Sequence, residues 1–173
     1  IEAGPDPDAI PVRLQVILDD TEISYADVRA LVPGSSLELA REFDHVTGVD
    51  FSARFIGQGV QLAQHGILRY TLTDEGDLVS YKERTLKNLD LDHVKHKVEF
   101  YQGDACNLKP IFTDYDLILA ANLIDRLYDP AKLLNSIHSR IKPGGLLMIT
   151  SPYTWLAKHN KKEAWIGGFK RDG

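Results

Sequence analysis

Three short apolar runs in this chain end in side chains suited to holding a nucleoside. Val46–Val49 ends at Asp50, Val98–Gln102 runs through Gly103 to Asp104 and Ala105, and Tyr115–Ala121 ends at Asn122. In an open α/β sheet, ligands bind outside the carboxyl ends of the strands, so three such ends can converge on one molecule. A carboxylate at Asp50 can accept hydrogen bonds from both hydroxyls of a ribose, and Phe51 in the Asp50-Phe51-Ser52 run can lie against a purine face. Asp104 can accept from an exocyclic amine while a backbone N–H at Ala105 donates to the ring. Asn122 ends its strand where the reactive end of a cofactor would meet its acceptor, with Asp125 and Arg126 just beyond. Together these residues point to a nucleoside-containing cofactor.

Each residue also has a simpler reading. Asp50 can be a solvated loop acid or a helix cap, Asp104 a turn acid after Gly103, and Asp125 or Asp129 a cap of the next helix. Pro143-Gly144-Gly145 reads as a turn, and His138 as a surface or packing residue. His45, His65, His93, His96 and His159 show no spacing suited to a metal.

The elements that must position these residues alternate. Residues 1–10 read as an extended lead-in, and Val12–Leu18 as an apolar segment in or forming a helix. Val28–Val32, stopped by Pro33-Gly34, is the expected first strand, with Ser35 or Ser36 capping a short helix through Arg41. Val46–Val49 is the second strand, and a helix follows from about Ala53 to Gln64. Residues 67–84 break the pattern: Leu68, Tyr70 and Leu72 alternate with polar residues before an acidic turn, predicting an inserted antiparallel hairpin. Val98–Gln102 and Tyr115–Ala121 are the third and fourth strands, the latter apolar enough to be buried on both faces. Pro130 can start a helix carrying Leu133, Leu134, Ile137 and Ile141. Lys142-Pro143-Gly144-Gly145 ends that helix, and Leu146–Ser151 is the fifth strand. Strand and helix in alternation imply an α/β fold with a doubly wound, mostly parallel Rossmann-like sheet.

Composition agrees. The 173 residues suit a single domain over 1–173, with 43% hydrophobic and 26% charged residues and a net charge of −5. No basic cluster is present, which argues against a nucleic-acid partner. No apolar run approaches the roughly 18 residues of a membrane span, and no leader pattern stands at Ile1. The one cysteine, Cys106, excludes an intrachain disulfide and a cysteine-based metal cluster, and the expected compartment is the cytoplasm. Gly34 is the one glycine available for a cofactor loop, and it precedes Asp50 by fewer than the about 20 residues usual between a first loop glycine and a ribose acid.

The sequence resembles the class I S-adenosylmethionine-dependent methyltransferases, and more narrowly the C-terminal methyltransferase domains of ovothiol-biosynthesis enzymes. The resemblance runs from about Ala30 to Gly168. Its most specific runs are Ser36–Ile56, Gln102–Lys109, Ala120–Pro130 and Ser151–Leu156, with Trp165–Lys170 in support. It departs where the family has a Cys-Ala-Val-Gly-Arg type segment after Gly34, where an acid is replaced by Val32-Pro33, and where the family continues past Gly173 into its last strands.

The resemblance implies S-adenosyl-L-methionine as cofactor, held by Gly34, Asp50, Phe51, Ser52, Asp104, Ala105 and Asn122. It implies methyl transfer to a ring nitrogen of a small molecule, 5-thiohistidine (4-mercaptohistidine), with Asn122, Asp125 and Tyr153 at the reacting end and no metal. Tyr153 and Trp155 would wall an imidazole pocket, or cover the sheet end as packing. A fused sulfoxide-synthase domain is the family's companion, and it is not within these residues. Two other functions compete. A nicotinamide-dependent dehydrogenase would use Asp50 equally but gives Asp104-Ala105 and the hairpin no role, and a non-catalytic Rossmann-like module would need no cofactor loop.

Overall fold

A computed structural model of the protein describes residues 13–18 and 34–170. Five parallel strands form one sheet in the order β5-β2-β1-β6-β7. They are β1 (Arg13–Leu18), β2 (His45–Asp50), β5 (Val98–Gln102), β6 (Tyr115–Ala121) and β7 (Ile141–Thr150). The hairpin is a separate antiparallel pair, β3 (Ile67–Glu75) with β4 (Leu78–Thr85). Among the described residues, three α-helices accompany them: α1 (Gly34–Leu39), α2 (Ala53–His65) and α3 (Pro130–Ile137).

Alternation along the strands builds two cores. Val49, Ile118 and Ala120 pack with Phe112, Leu133 and Ile137 in one, whereas Val46, Leu117 and Leu119 join Leu37, Leu62, Leu86 and Leu91 in the other. Neighbouring residues of a strand point to opposite faces, so β2 and β6 each feed both layers and the sheet is doubly wound. Phe100 of β5 fills the gap between sheet and helix. A Cβ at Gly48 would come within 2.7 Å of its ring and one at Gly59 of α2 within 2.8 Å, so both positions must be glycine for the ring to fit.

Several boundaries differ from those expected. Arg13–Leu18 is a central strand and not a helix, paired in parallel with β2 through Leu14↔Val46 and with β6 through Leu14↔Leu117. The position between two parallel strands supplies backbone hydrogen-bonding partners on both edges, which a helix there would leave unused. The expected first strand at Val28–Val32 lies outside the described residues. Ser35 and Ser36 lie inside α1, which opens at Gly34, so neither serine caps it. α3 stops at Ile137, a 3-10 turn covers His138–Arg140, and Ile141 begins β7 instead of continuing the helix.

Lys142-Pro143-Gly144-Gly145 is an excursion within β7, whose pairing with β6 jumps from Tyr115↔Ile141 to Leu117↔Leu146. Gly144 has φ +84°, and a Cβ on Gly145 would lie 2.5 Å from Ile141 and 3.0 Å from the Tyr115 and Asp116 carbonyls. Glycine is therefore required at both positions.

Because all five strands run the same way, their carboxyl ends share one edge. Asp50 pairs with Gln102, and Ala121 with Thr150. Asp104, Asn122 and the segment after Thr150 follow directly from that edge. No helix among the described residues is long and apolar enough to cross a membrane.

Candidate active site

A cleft of about 180 Å³ opens at this edge, lined by Phe51, Gly103, Asp104, Ala105, Leu123, Arg126, Leu127, Tyr128 and His159. That is smaller than the roughly 300–1,000 Å³ of drug-sized small-molecule sites. Its walls come from the loops after β2, β5, β6 and β7, and each is fixed by local geometry.

Gly103 N–H donates to the Asp50 carbonyl at 2.9 Å, carrying the β5 end across to β2. A Cβ at Gly103 would meet Val49 at 2.8 Å, so the close approach depends on glycine. Asp104 caps the 3-10 turn Ala105–Asn107, its Oδ1 accepting from Cys106 N–H at 2.8 Å. Its Oδ2 accepts from the Tyr128 hydroxyl at 3.0 Å. Partial burial and the Asp104 carboxylate push the Tyr128 phenol up to about 12. Phe51 is 63% exposed and presents its ring to the same cleft, while its carbonyl accepts from the Gln102 amide.

Asp50 stands at the end of β2 but behind that wall. It is 3% exposed, its Oδ1 accepts from Ser52 N–H at 2.7 Å, and it borders a crevice of only about 10 Å³ with Ser36, Phe55 and Phe100. Ser52 precedes α2 without a side-chain cap bond. Gly34 is the first residue of α1.

Asn122 terminates β6 in the left-handed region, with φ +52°. Its N–H donates to the Thr150 carbonyl at 2.9 Å and to Thr150 Oγ1 at 3.1 Å, tying the end of β6 to that of β7. Tyr153 also has a positive φ, +56°, and is 77% exposed. Trp155 is 8% exposed, packs on Trp165 with ring centroids 6.1 Å apart, and leaves room for Gly167 and Gly168 but not for larger residues. It covers the strand end as packing.

Asp125 is wholly buried and joins two loops. Oδ1 accepts from the Ser151 hydroxyl at 2.9 Å, and Oδ2 from the Thr154 hydroxyl at 2.8 Å and the Thr154 N–H at 3.1 Å. Burial alone would push its carboxyl up, but the Thr154 and Ser151 donors outweigh burial and hold it below the ordinary carboxylate value. The next two residues repeat the linkage. Arg126 Nη1 lies 2.9 Å from His159 Nε2, and the Leu127 carbonyl accepts from the Asn160 amide at 2.8 Å. Residues 151–160 thus form a strap over the β6–α3 loop.

The structure brings Phe51, Asp104 and Ala105 into one cleft. It sets Asp50 and Asp125 in buried positions beside it and leaves Tyr153 on the surface. Tyr128, Arg126 and His159 were not singled out as cleft residues from sequence. The Asp125-Arg126 adjacency was the one local signal for Arg126, and His159 gave none, because its partner lies 33 residues earlier. Among the described residues, no three His, Cys, Asp or Glu side chains gather as a metal site.

Each carboxylate oxygen of Asp104 can accept two hydrogen bonds and is engaged in one, so a further donor can be received.

A family model described as "Methyltransferase domain" matches residues 33–172. No curated protein matches the sequence. Among solved structures, the [4+2]-cyclase SpnF matches with TM-score 0.53 and 19% identity, over 82% of this chain and 39% of its own. An S-adenosylmethionine-dependent methyltransferase from Mesorhizobium loti matches with TM-score 0.50 and 14% identity, over 84% and 49%. The glycopeptide N-methyltransferase MtfA, complexed with sinefungin, matches with TM-score 0.50 and 12% identity, over 81% and 43%. The chain spans less than half the length of these structures, and at such identities they speak to the fold alone. With four fifths of its residues matched by the family model, the chain belongs to the class I methyltransferase-domain family, whose cofactor is S-adenosyl-L-methionine.

Proposed function

We propose that the protein is an S-adenosylmethionine-dependent N-methyltransferase that acts on a ring nitrogen of 5-thiohistidine. The observation that carries methyl transfer is the cleft at the carboxyl edge of the sheet, where Phe51, Asp104 and Ala105 come together from two strands. The choice of acceptor rests on the resemblance of Ser36–Ile56 and Ala120–Pro130 to the ovothiol-enzyme methyltransferase domains. The same fold also serves a cyclase, so fold alone does not choose the chemistry.

In this reading Asp104 accepts from the adenine amine, Ala105 supplies its backbone N–H, and Phe51 lies against the purine. Ser52 N–H holds the Asp50 carboxylate behind the cleft wall, where it braces the end of β2 next to Phe51. The bound cofactor supplies an electrophilic methyl group with its own leaving group. A neutral imidazole nitrogen is already a nucleophile, so the protein's task is alignment and exclusion of water. Asn122, fixed by Thr150 at the end of β6, borders the reacting region. Asp125 acts on the site through the strap: fully buried, with its oxygens engaged and its proton affinity low, it is a positioning residue and not the proton acceptor. The proton released from the thioimidazole passes to solvent.

The test is methylation of 5-thiohistidine followed by mass spectrometry, with histidine and other thioimidazoles as competing acceptors. A product carrying one methyl on the ring nitrogen supports the reading. Transfer to sulfur, or to another acceptor in preference, overturns the substrate while leaving a methyltransferase.

A further inference from the structure

We infer that Arg126, backed by His159, forms a carboxylate-binding subsite that selects an amino-acid acceptor. The inference rests on the methyltransferase reading above and names the chemistry by which its acceptor is held.

Arg126 lines the cleft with a side chain 15% exposed, so its guanidinium is mostly withdrawn from water. Such a cation ordinarily demands an anion. Its neighbour Asp125 is a poor one: Oδ2 lies 3.6 Å from Arg126 Nε, and the carboxylate is already committed to Ser151 and Thr154 at 2.8–3.1 Å. The shortest contact of Arg126 is with His159 Nε2 at 2.9 Å. Histidine accepts there only when neutral and protonated on Nδ1, and burial with the Arg126 and Lys158 charges lowers the His159 pKa in the matching direction. A neutral partner orients the guanidinium without cancelling its charge. Among the described residues, that bond is the one hydrogen bond the Arg126 guanidinium donates, of its five N–H groups. A planar fork with spare donors, desolvated and aimed by a neutral neighbour, matches a carboxylate.

The position separates acceptor from cofactor. Asp50 and Phe51 follow β2, and Asp104 follows β5, on one side of β1 in the sheet order. Arg126 follows β6 and His159 follows β7, on the other side. Asp104 supplies negative charge where an amine is to be held, and Arg126 supplies positive charge beyond it. An α-amino acid with an imidazole side chain presents the carboxylate this arrangement calls for.

The experiment compares 5-thiohistidine with its decarboxylated analogue, 5-thiohistamine, in the protein and in Arg126→Met and Arg126→Lys. Affinity is read by calorimetry in saturating S-adenosylhomocysteine, and initial methylation rates are read separately. The wild type is expected to bind the acid roughly tenfold or more tightly than the amine, a charge-assisted bidentate pair's worth. Arg126→Met should erase that preference while S-adenosylhomocysteine affinity stays within about twofold, and Arg126→Lys should keep only part of it, because an ammonium is not a fork. A preference retained in Arg126→Met overturns the subsite. So does a comparable loss of S-adenosylhomocysteine affinity, which would give the guanidinium to the cofactor. If the wild type binds and methylates neither thioimidazole, the acceptor identity fails separately. The subsite is then read from free α-amino acids against their amines, and no Arg126-dependent preference for the acids overturns it as well. Thermal melting shows that each variant is folded, and Arg126→Lys, which keeps the charge, carries the test if Arg126→Met is not.

Discussion

Replacing Asp125 should separate a positioning carboxylate from a catalytic one. The side chain is fully buried and holds Ser151 and Thr154 through three hydrogen bonds of 2.8–3.1 Å. Bonds to a charged group each contribute about 1.5–3 kcal/mol, but they share one acceptor and do not add. Asp125→Ala also leaves the Thr154 N–H and the Arg126 cation without their nearest anion, so the expected cost is about 3–5 kcal/mol, against a domain stability of roughly 5–15 kcal/mol. Asp125→Asn should cost less, about 1–2 kcal/mol, because its oxygen can face both Thr154 donors while its NH₂ donates to the Ser151 hydroxyl.

Acid supplies a second axis. The folded-state pKa of Asp125 lies below the ordinary carboxylate value, so its contribution is fully present above that ordinary value and lost as pH falls through the folded pKa. The gap between wild type and Asp125→Asn should therefore narrow as pH falls below the ordinary carboxylate value. Denaturant unfolding followed by tryptophan fluorescence reads this well, since the two tryptophans, Trp155 and Trp165, both follow β7 in the segment that Asp125 anchors. Asn proving as damaging as Ala, or Ala falling within about 1 kcal/mol of wild type, would refute the positioning role.

Two further predictions follow from packing and titration. Gly59→Ala should destabilise by about 1–3 kcal/mol despite alanine's better helix propensity, because its Cβ would sit 2.8 Å from Phe100; a neutral or stabilising result by thermal melting would show that Phe100 can move aside. His159, with its folded pKa lowered below 6.5, should contribute stability that is complete above that value and lost as pH falls through the folded pKa; His159→Gln, compared with wild type by unfolding across that window, should lack the step.

Much of the scaffold was legible because its signals are local. β5 and β6 are apolar runs bounded by polar residues, α2 has a glycine just past its end, and the hairpin alternates around an acidic turn. β1 was misread because Arg13–Leu18 is short and its identity as a strand depends on β2 and β6, which lie far away in sequence. The end of α3 was overrun because Ile141 continues the helical spacing, while pairing with Tyr115 draws it into β7. At the site, Phe51, Asp104 and Ala105 were named from strand ends, where sequence and position coincide. Tyr128 and the Arg126–His159 pair escaped because loop-to-loop contacts across long separations leave no periodic trace.

The most direct test of the account is calorimetric titration of S-adenosylhomocysteine, its inosine analogue and NAD into the protein and into Asp104→Ala. The account predicts that S-adenosylhomocysteine binds, that NAD does not, and that wild type prefers adenine over hypoxanthine by roughly tenfold or more, a hydrogen bond to a charged acceptor being worth about 1.5–3 kcal/mol. In Asp104→Ala that preference should collapse while some binding remains through Phe51 and Ala105. Heat with NAD alone, or an undiminished adenine preference in the variant, would contradict it.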